Sequence, residues 1–114
     1  LFKKEISLVK NWRIEYWDDG RGKNPIEKWL DNLTKDQFKS VAKELSMLEE
    51  TGNELKLPHS KALGKGLFEL RERRFGIRVY YCFKGDSIII LLAVGDKKTQ
   101  EKDIKVARER IGRE

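Results

Sequence analysis

One cysteine, one histidine, one methionine and two prolines in 114 residues exclude several common chemistries at once. Cys82 has no partner for an internal disulfide, and its neighbours Tyr81 and Phe83 make it read as a packed strand thiol rather than a nucleophile. With so few histidines and cysteines there is no metal-ligand spacing, so neither metal nor cofactor is expected. No Ser-His-Asp set and no P-loop occurs, and GKGLFEL (64–70) is no dinucleotide fingerprint because no strand-to-helix turn follows it. The longest apolar run, IIILLAV at 88–94, is far too short to cross a bilayer. The opening LFKKEISLVKN is too polar for a signal peptide. These absences favour a cytoplasmic protein with no membrane partner. Residues 1–11 stand as a candidate N-terminal extension of a single domain over 1–114.

Charge is plentiful: 39% of the residues are Asp, Glu, Lys or Arg, and another 39% are hydrophobic, enough for a core without staples. The charge is unevenly shared. Residues 1–54 hold 10 Lys/Arg against 11 Asp/Glu, whereas residues 55–114 hold 15 against 8, so the net +6 sits in the second half. A pI near 9.5 with that asymmetry points to a polyanionic partner, most simply nucleic acid.

RIEYW (13–17) alternates as a strand, with Trp12, Ile14 and Tyr16 on one side and Arg13, Glu15 and Trp17 on the other. After the turn-forming DDGRGKN (18–24), Asn24-Pro25-Ile26-Glu27 opens a helix with Asn as N-cap and Pro at its first position. Thr34 and Gln37 form a capping box for a second helix, whose stripe Phe38, Val41, Ala42, Leu45 and Leu48 is expected inside and whose stop is Gly52. Residues 53–66 read as a loop carrying Lys56, Lys61 and Lys65. Three strands follow, LFELRER (67–73), IRVYYCF (77–83) and SIIILLAV (87–94), the last apolar on both faces and therefore central. A helix from about Thr99 closes the order β-α-α-β-β-β-α. The expected class is α+β: an antiparallel sheet of about four strands, a helical hairpin on one face, and a C-terminal helix.

The arginines are the unusual feature. Alternation places Arg71 and Arg73 on one face with Glu69, and across the turn Arg78 and Tyr80 join them on a face left uncovered by the hairpin. Such a face is either solvated and partly ion-paired, or an anion site, since the planar guanidinium fork suits phosphate and Tyr80 offers a base a stacking surface. Lys97 and Lys98 precede a helix start, where anions are favoured. His59 is a candidate acid or base, although no carboxylate partner for it is evident in the sequence.

The stretch from LPHSKALGKG through GLFELRERRFGIRVYY to GDKKTQ and the final basic helix resembles the second half of the RelE/ParE superfamily of bacterial toxins. It is most similar to the HigB branch with its phage Gp49-like members, over about Trp12 to Ile111. That resemblance implies a microbial-RNase-like fold and the toxin of a type II toxin–antitoxin pair. It also implies ribosome-dependent cleavage of mRNA by attack of the ribose 2′-OH on the adjacent phosphate. On this pattern Arg71 holds the scissile phosphate, Lys98 or Lys97 serves the phosphate or the leaving oxygen, and His59 fills the role of a loop histidine. Lys61, Lys65, Arg73, Arg78 and Tyr80 are then RNA contacts. Partners implied are an antitoxin, HigA-like with a helix-turn-helix domain, together with the ribosome and mRNA. Two family features are absent: Ile104 stands where RelE has a tyrosine, and no histidine lies near the chain end. The alternatives are a ParE-like gyrase inhibitor without nuclease activity and a non-catalytic RNA-binding module.

Overall fold

Local signals in the sequence set the helices of the computed structural model, which describes residues 12–22 and 24–113; the candidate extension at 1–11 lies outside them. Helix α1 (Pro25–Asp31) starts where the Asn24 side chain accepts the Glu27 amide at 3.1 Å. Helix α2 (Lys35–Thr51) carries both halves of the Thr34/Gln37 capping box and ends at Gly52, whose positive φ of 55° suits glycine. A Cβ on Gly52 would also strike the Trp12 indole.

Among the described residues five strands form one sheet in the order β1-β5-β4-β3-β2: β1 (Arg13–Tyr16), β2 (Ser60–Gly64), β3 (Leu67–Glu72), β4 (Ile77–Lys84) and β5 (Ile88–Asp96). Two expectations change here. The segment 53–66 is only partly loop, because Ser60–Gly64 pairs with β3 as an edge strand. The sheet is also mixed, since β1 runs parallel to β5, with two helices and three strands as the crossover. β4 is the middle strand, and β5 lies beside it, buried on both faces as its composition required.

One face of the sheet carries Phe68, Leu70, Glu72, Val79 and Tyr81. On this side Ser40 of α2 meets Glu72, and Val41 and Leu48 join Leu70, Val79 and Leu91 in the core. Each such fully buried aliphatic side chain contributes about 1.5–3 kcal/mol. Phe38 departs from the expected stripe and is 48% exposed. Trp17 departs the other way: it is buried beyond the end of β1, with the Arg110 guanidinium 4.3 Å above its ring, while Tyr16 is left exposed.

The opposite face is not open. Helix α3 (Gln100–Ile111) lies across it, burying Ala107 and packing Ile104 and Ile111 against the core. Close approach is possible because β5 offers Gly95 there; a Cβ at that position would fall 1.8 Å from the Asp103 carboxylate. A bulge in β5 leaves Leu92 unpaired with β4, and Arg110 donates to the Leu92 carbonyl at 2.7 Å. Arg108 likewise donates to the carbonyls of Leu63 and Gly64, tying α3 to the end of β2.

Candidate functional site

Cross-strand register builds the site. Glu69 lies opposite Tyr80 and Arg71 opposite Arg78, so the four side chains share the α3 face, as alternation predicted. What alternation could not show is depth. Glu69 is 1% exposed, Tyr80 0% and Arg78 7%, so none of them is a solvated surface group. Two arginines directly opposite one another would repel, and Glu69 sits between them, 3.5 Å from Arg71 Nε and 3.4 Å from Arg78 Nη1. Gln100, in the first turn of α3, donates to the other Glu69 oxygen at 2.7 Å. One buried carboxylate therefore links two strands, two guanidinium groups and a helix start.

Arg71 differs from its neighbour. Its side chain is 31% exposed, its Nε is buried without a hydrogen-bond partner, and among the described residues its one ion pair is the contact with Glu69. A fork of five donors is thus held by charge alone, and its terminal nitrogens are free to meet an anion. Tyr80 Oη is also buried without a hydrogen-bond partner; burial, then the charges of Glu69 and Asp103, push its pKa well up. It cannot supply an accessible stacking surface, which corrects the expectation for this residue.

The lysines divide. Lys61 lies opposite Glu69 on the edge strand β2, exposed and on the same face. Lys97 and Lys98 are exposed on the loop leading into the Gln100 contact. The loop amides are not open to an anion as expected, because the Asp96 carboxylate accepts the N–H groups of Lys98 at 2.8 Å and Thr99 at 3.2 Å. Thr99 occupies the cap position but turns its hydroxyl to Asp103. Lys65 sits in the β2–β3 turn, beyond the Leu67 end of β3, and β3 alone separates Leu67 from Arg71 by about 13 Å.

Arg73 does not join Arg71. Strand β3 ends at Glu72, whose buried carboxylate takes the amides of Arg74, Phe75 and Ile77 and the Ser40 hydroxyl, at 2.6 to 3.3 Å. That capture folds the β3–β4 turn, and Arg73 lines a cleft against α2 instead. His59 is beside Arg71 through the backbone, its carbonyl accepting the Arg71 amide at 2.8 Å. Its ring turns to α2, where Nδ1 lies 3.0 Å from Glu44 Oε1. The carboxylate partner that the sequence did not reveal is therefore present, fifteen residues upstream. Glu44, Gln100 and Glu72 were not singled out from sequence; Gly95, a glycine inside a strand, was the one available signal of close helix packing.

Among the described residues no group of three or more His, Cys, Asp or Glu side chains could hold a metal ion, and no helix is long and apolar enough to cross a membrane.

Comparison with known proteins adds four findings. The family described as phage-derived protein Gp49-like (DUF891) matches residues 28–112. A Haemophilus influenzae protein, named only as uncharacterized, is 47% identical over 49 residues; these are 42% of this chain and 50% of that protein, so the match spans half the relative's length. Among solved structures, an arginine double variant of the Escherichia coli toxin RelE in the free state superposes with a TM-score of 0.60 at 13% identity, over 83% of this chain and 96% of RelE. The isolated E. coli RelE toxin gives 0.56 at 16% identity, over 82% and 96%. At such identities the likeness is one of fold.

Proposed function

The chain belongs to the phage-derived Gp49-like family and has the RelE fold, and from that premise we propose that it is the toxin of a toxin–antitoxin pair, an endoribonuclease that cuts mRNA on the ribosome in the cytoplasm. The observation that carries the reading is Arg71: a guanidinium held on its strand by buried Glu69, the same carboxylate that takes the Gln100 side chain at the start of α3, two residues after Lys98.

In this reaction the ribose 2′-OH forms a bond to the neighbouring phosphorus, and the bond to the 5′-oxygen of the next nucleotide breaks. The products are a 2′,3′-cyclic phosphate and a free 5′-OH. Arg71 stabilises the negative charge that grows on the phosphorane oxygens, and Lys98, with Lys97 beside it, faces the leaving 5′-oxygen. Arg78 acts from below, keeping the local field positive, and Lys61 extends the contact along the strand. The His59 ring is turned to Glu44 on the α2 side of the sheet, so the 2′-OH proton leaves to solvent and the departing 5′-oxygen takes one from Lys98. Losing one preorganised donor to such an oxyanion costs about 10²–10³ in rate.

The test is mapping of RNA 5′ ends after induction, wild type against Arg71→Ala. New 5′-OH ends on translated mRNA are expected with the wild type, and their loss with a folded Arg71→Ala. Cleavage at full rate by that variant refutes the assignment. Inhibited supercoiling with intact mRNA would instead establish the gyrase reading, which Ile104, standing where RelE has a tyrosine, admits. An antitoxin partner follows from either toxin reading.

A further inference from the structure

A second group of cations gathers on the other side of the sheet. Lys39 and Lys43 of α2, one helical turn apart, line a cleft of about 420 Å³ with Arg73 and Arg74 of the β3–β4 turn. The cleft also holds Asp36, Glu44 and Glu72, yet two of these carboxylates are already engaged. Glu72 is buried under three backbone amides and the Ser40 hydroxyl, and Glu44 pairs with His59. Among the described residues none of the four cations makes an ion pair; Arg74 lies over the Phe75 ring at 4.8 Å instead. Four cations around one cleft outnumber its three carboxylates by one, and Lys39, Lys43, Arg73 and Arg74 are all exposed whereas Glu72 is buried, so the accessible charge is positive.

We infer that this cleft binds the phosphate backbone of RNA, as a surface separate from Arg71. A protein partner would want an apolar anchor at the centre of its interface, and this lining is mostly charged and polar. The path also favours a nucleic acid. Arg71 sits on the α3 face one residue before Glu72, and Arg73 and Arg74 follow on the turn that rounds the end of the sheet. A strand lying on Arg71 can pass the turn and continue into the cleft. The identification of the polyanion as RNA rests on the proposed function; the anion surface itself does not.

The experiment uses the full chain and a fluorescent single-stranded RNA made uncleavable by 2′-O-methyl riboses, titrated across a salt series. The variant Lys39→Ala/Lys43→Ala/Arg74→Ala should bind more weakly, with the slope of log affinity against log salt reduced by roughly 2, about 0.7 for each lost charge. Lys39→Ala/Lys43→Ala leaves the turn untouched and should lower the slope by roughly 1.4. Unchanged affinity and slope in both folded variants overturns the inference. Arg71→Ala, assayed for cleavage on ribosomes, reports on the function separately. Absence of cleavage by the wild-type chain on ribosomes, alongside weakened binding by the triple variant, would refute the ribonuclease reading and keep the cleft.

Discussion

Replacing Glu69 by Gln removes one charge from the centre of the site and little volume. The amide oxygen can still accept from Gln100, so the tie to α3 survives. What is lost is compensation for two guanidinium groups at 3.4 and 3.5 Å. Removing one partner of a fully buried pair costs about 3–5 kcal/mol. Arg71 is 31% exposed and relaxes toward water, whereas the Arg78 side chain, at 9%, has no such escape. The low end, about 3 kcal/mol, is therefore expected, which lowers Tm by roughly 12 °C in a domain of this size. Activity should fall with it, because Arg71 loses the group that fixes it. A double-mutant cycle separates the two effects: in an Arg71→Ala background, Glu69→Gln should cost no further cleavage rate while still costing stability. Losses of rate that simply add, or a Tm unchanged in Glu69→Gln, would refute the view that this carboxylate holds the arginines in place.

Three further outcomes follow from the same geometry. Gly95→Ala places a methyl group 1.8 Å from the Asp103 carboxylate, so the Thr99–Asp103 pair must turn away or α3 must shift; about 1–3 kcal/mol should be lost in a denaturant titration, and a wild-type midpoint would mean α3 packs otherwise. Tyr80 holds its proton above pH 10.0, where the unfolded chain releases its own. Its contribution is complete below that pH and lost as pH rises through the higher folded pKa. Tyr80→Phe should thus flatten the alkaline fall in stability, and an identical alkaline slope would count against it. His59→Ala should leave the single-turnover cleavage rate close to wild type, since its ring turns to Glu44 on the α2 side; a rate lost in the folded variant would bring the imidazole into the reaction.

Much of this was legible in the chain, where the cause is local. Asn24-Pro25, Thr34 with Gln37, and Gly52 fixed two helices because capping satisfies backbone groups within a few residues of the cap. Period-two alternation placed Glu69, Arg71, Arg78 and Tyr80 on one face because the pleat allows nothing else. The resemblance to the Gp49-like branch also rested on short, ordered motifs and agrees with the family match. Edge strand β2 was hidden, since Gly64, Lys65 and Gly66 mimic a loop and pairing with β3 supplies the order.

Depth, partners and direction belonged to the tertiary structure. No pattern in the chain could say that α3 would cover the arginine face, that Glu69 and Tyr80 would be buried beneath it, or that His59 would find Glu44 on α2. Nor could it say that Glu72 would end its strand by capturing the following turn and so send Arg73 to the other side of the sheet. The reason is physical: alternation and capping act through neighbouring bonds, whereas burial and charge pairing depend on which distant segment arrives above a given residue.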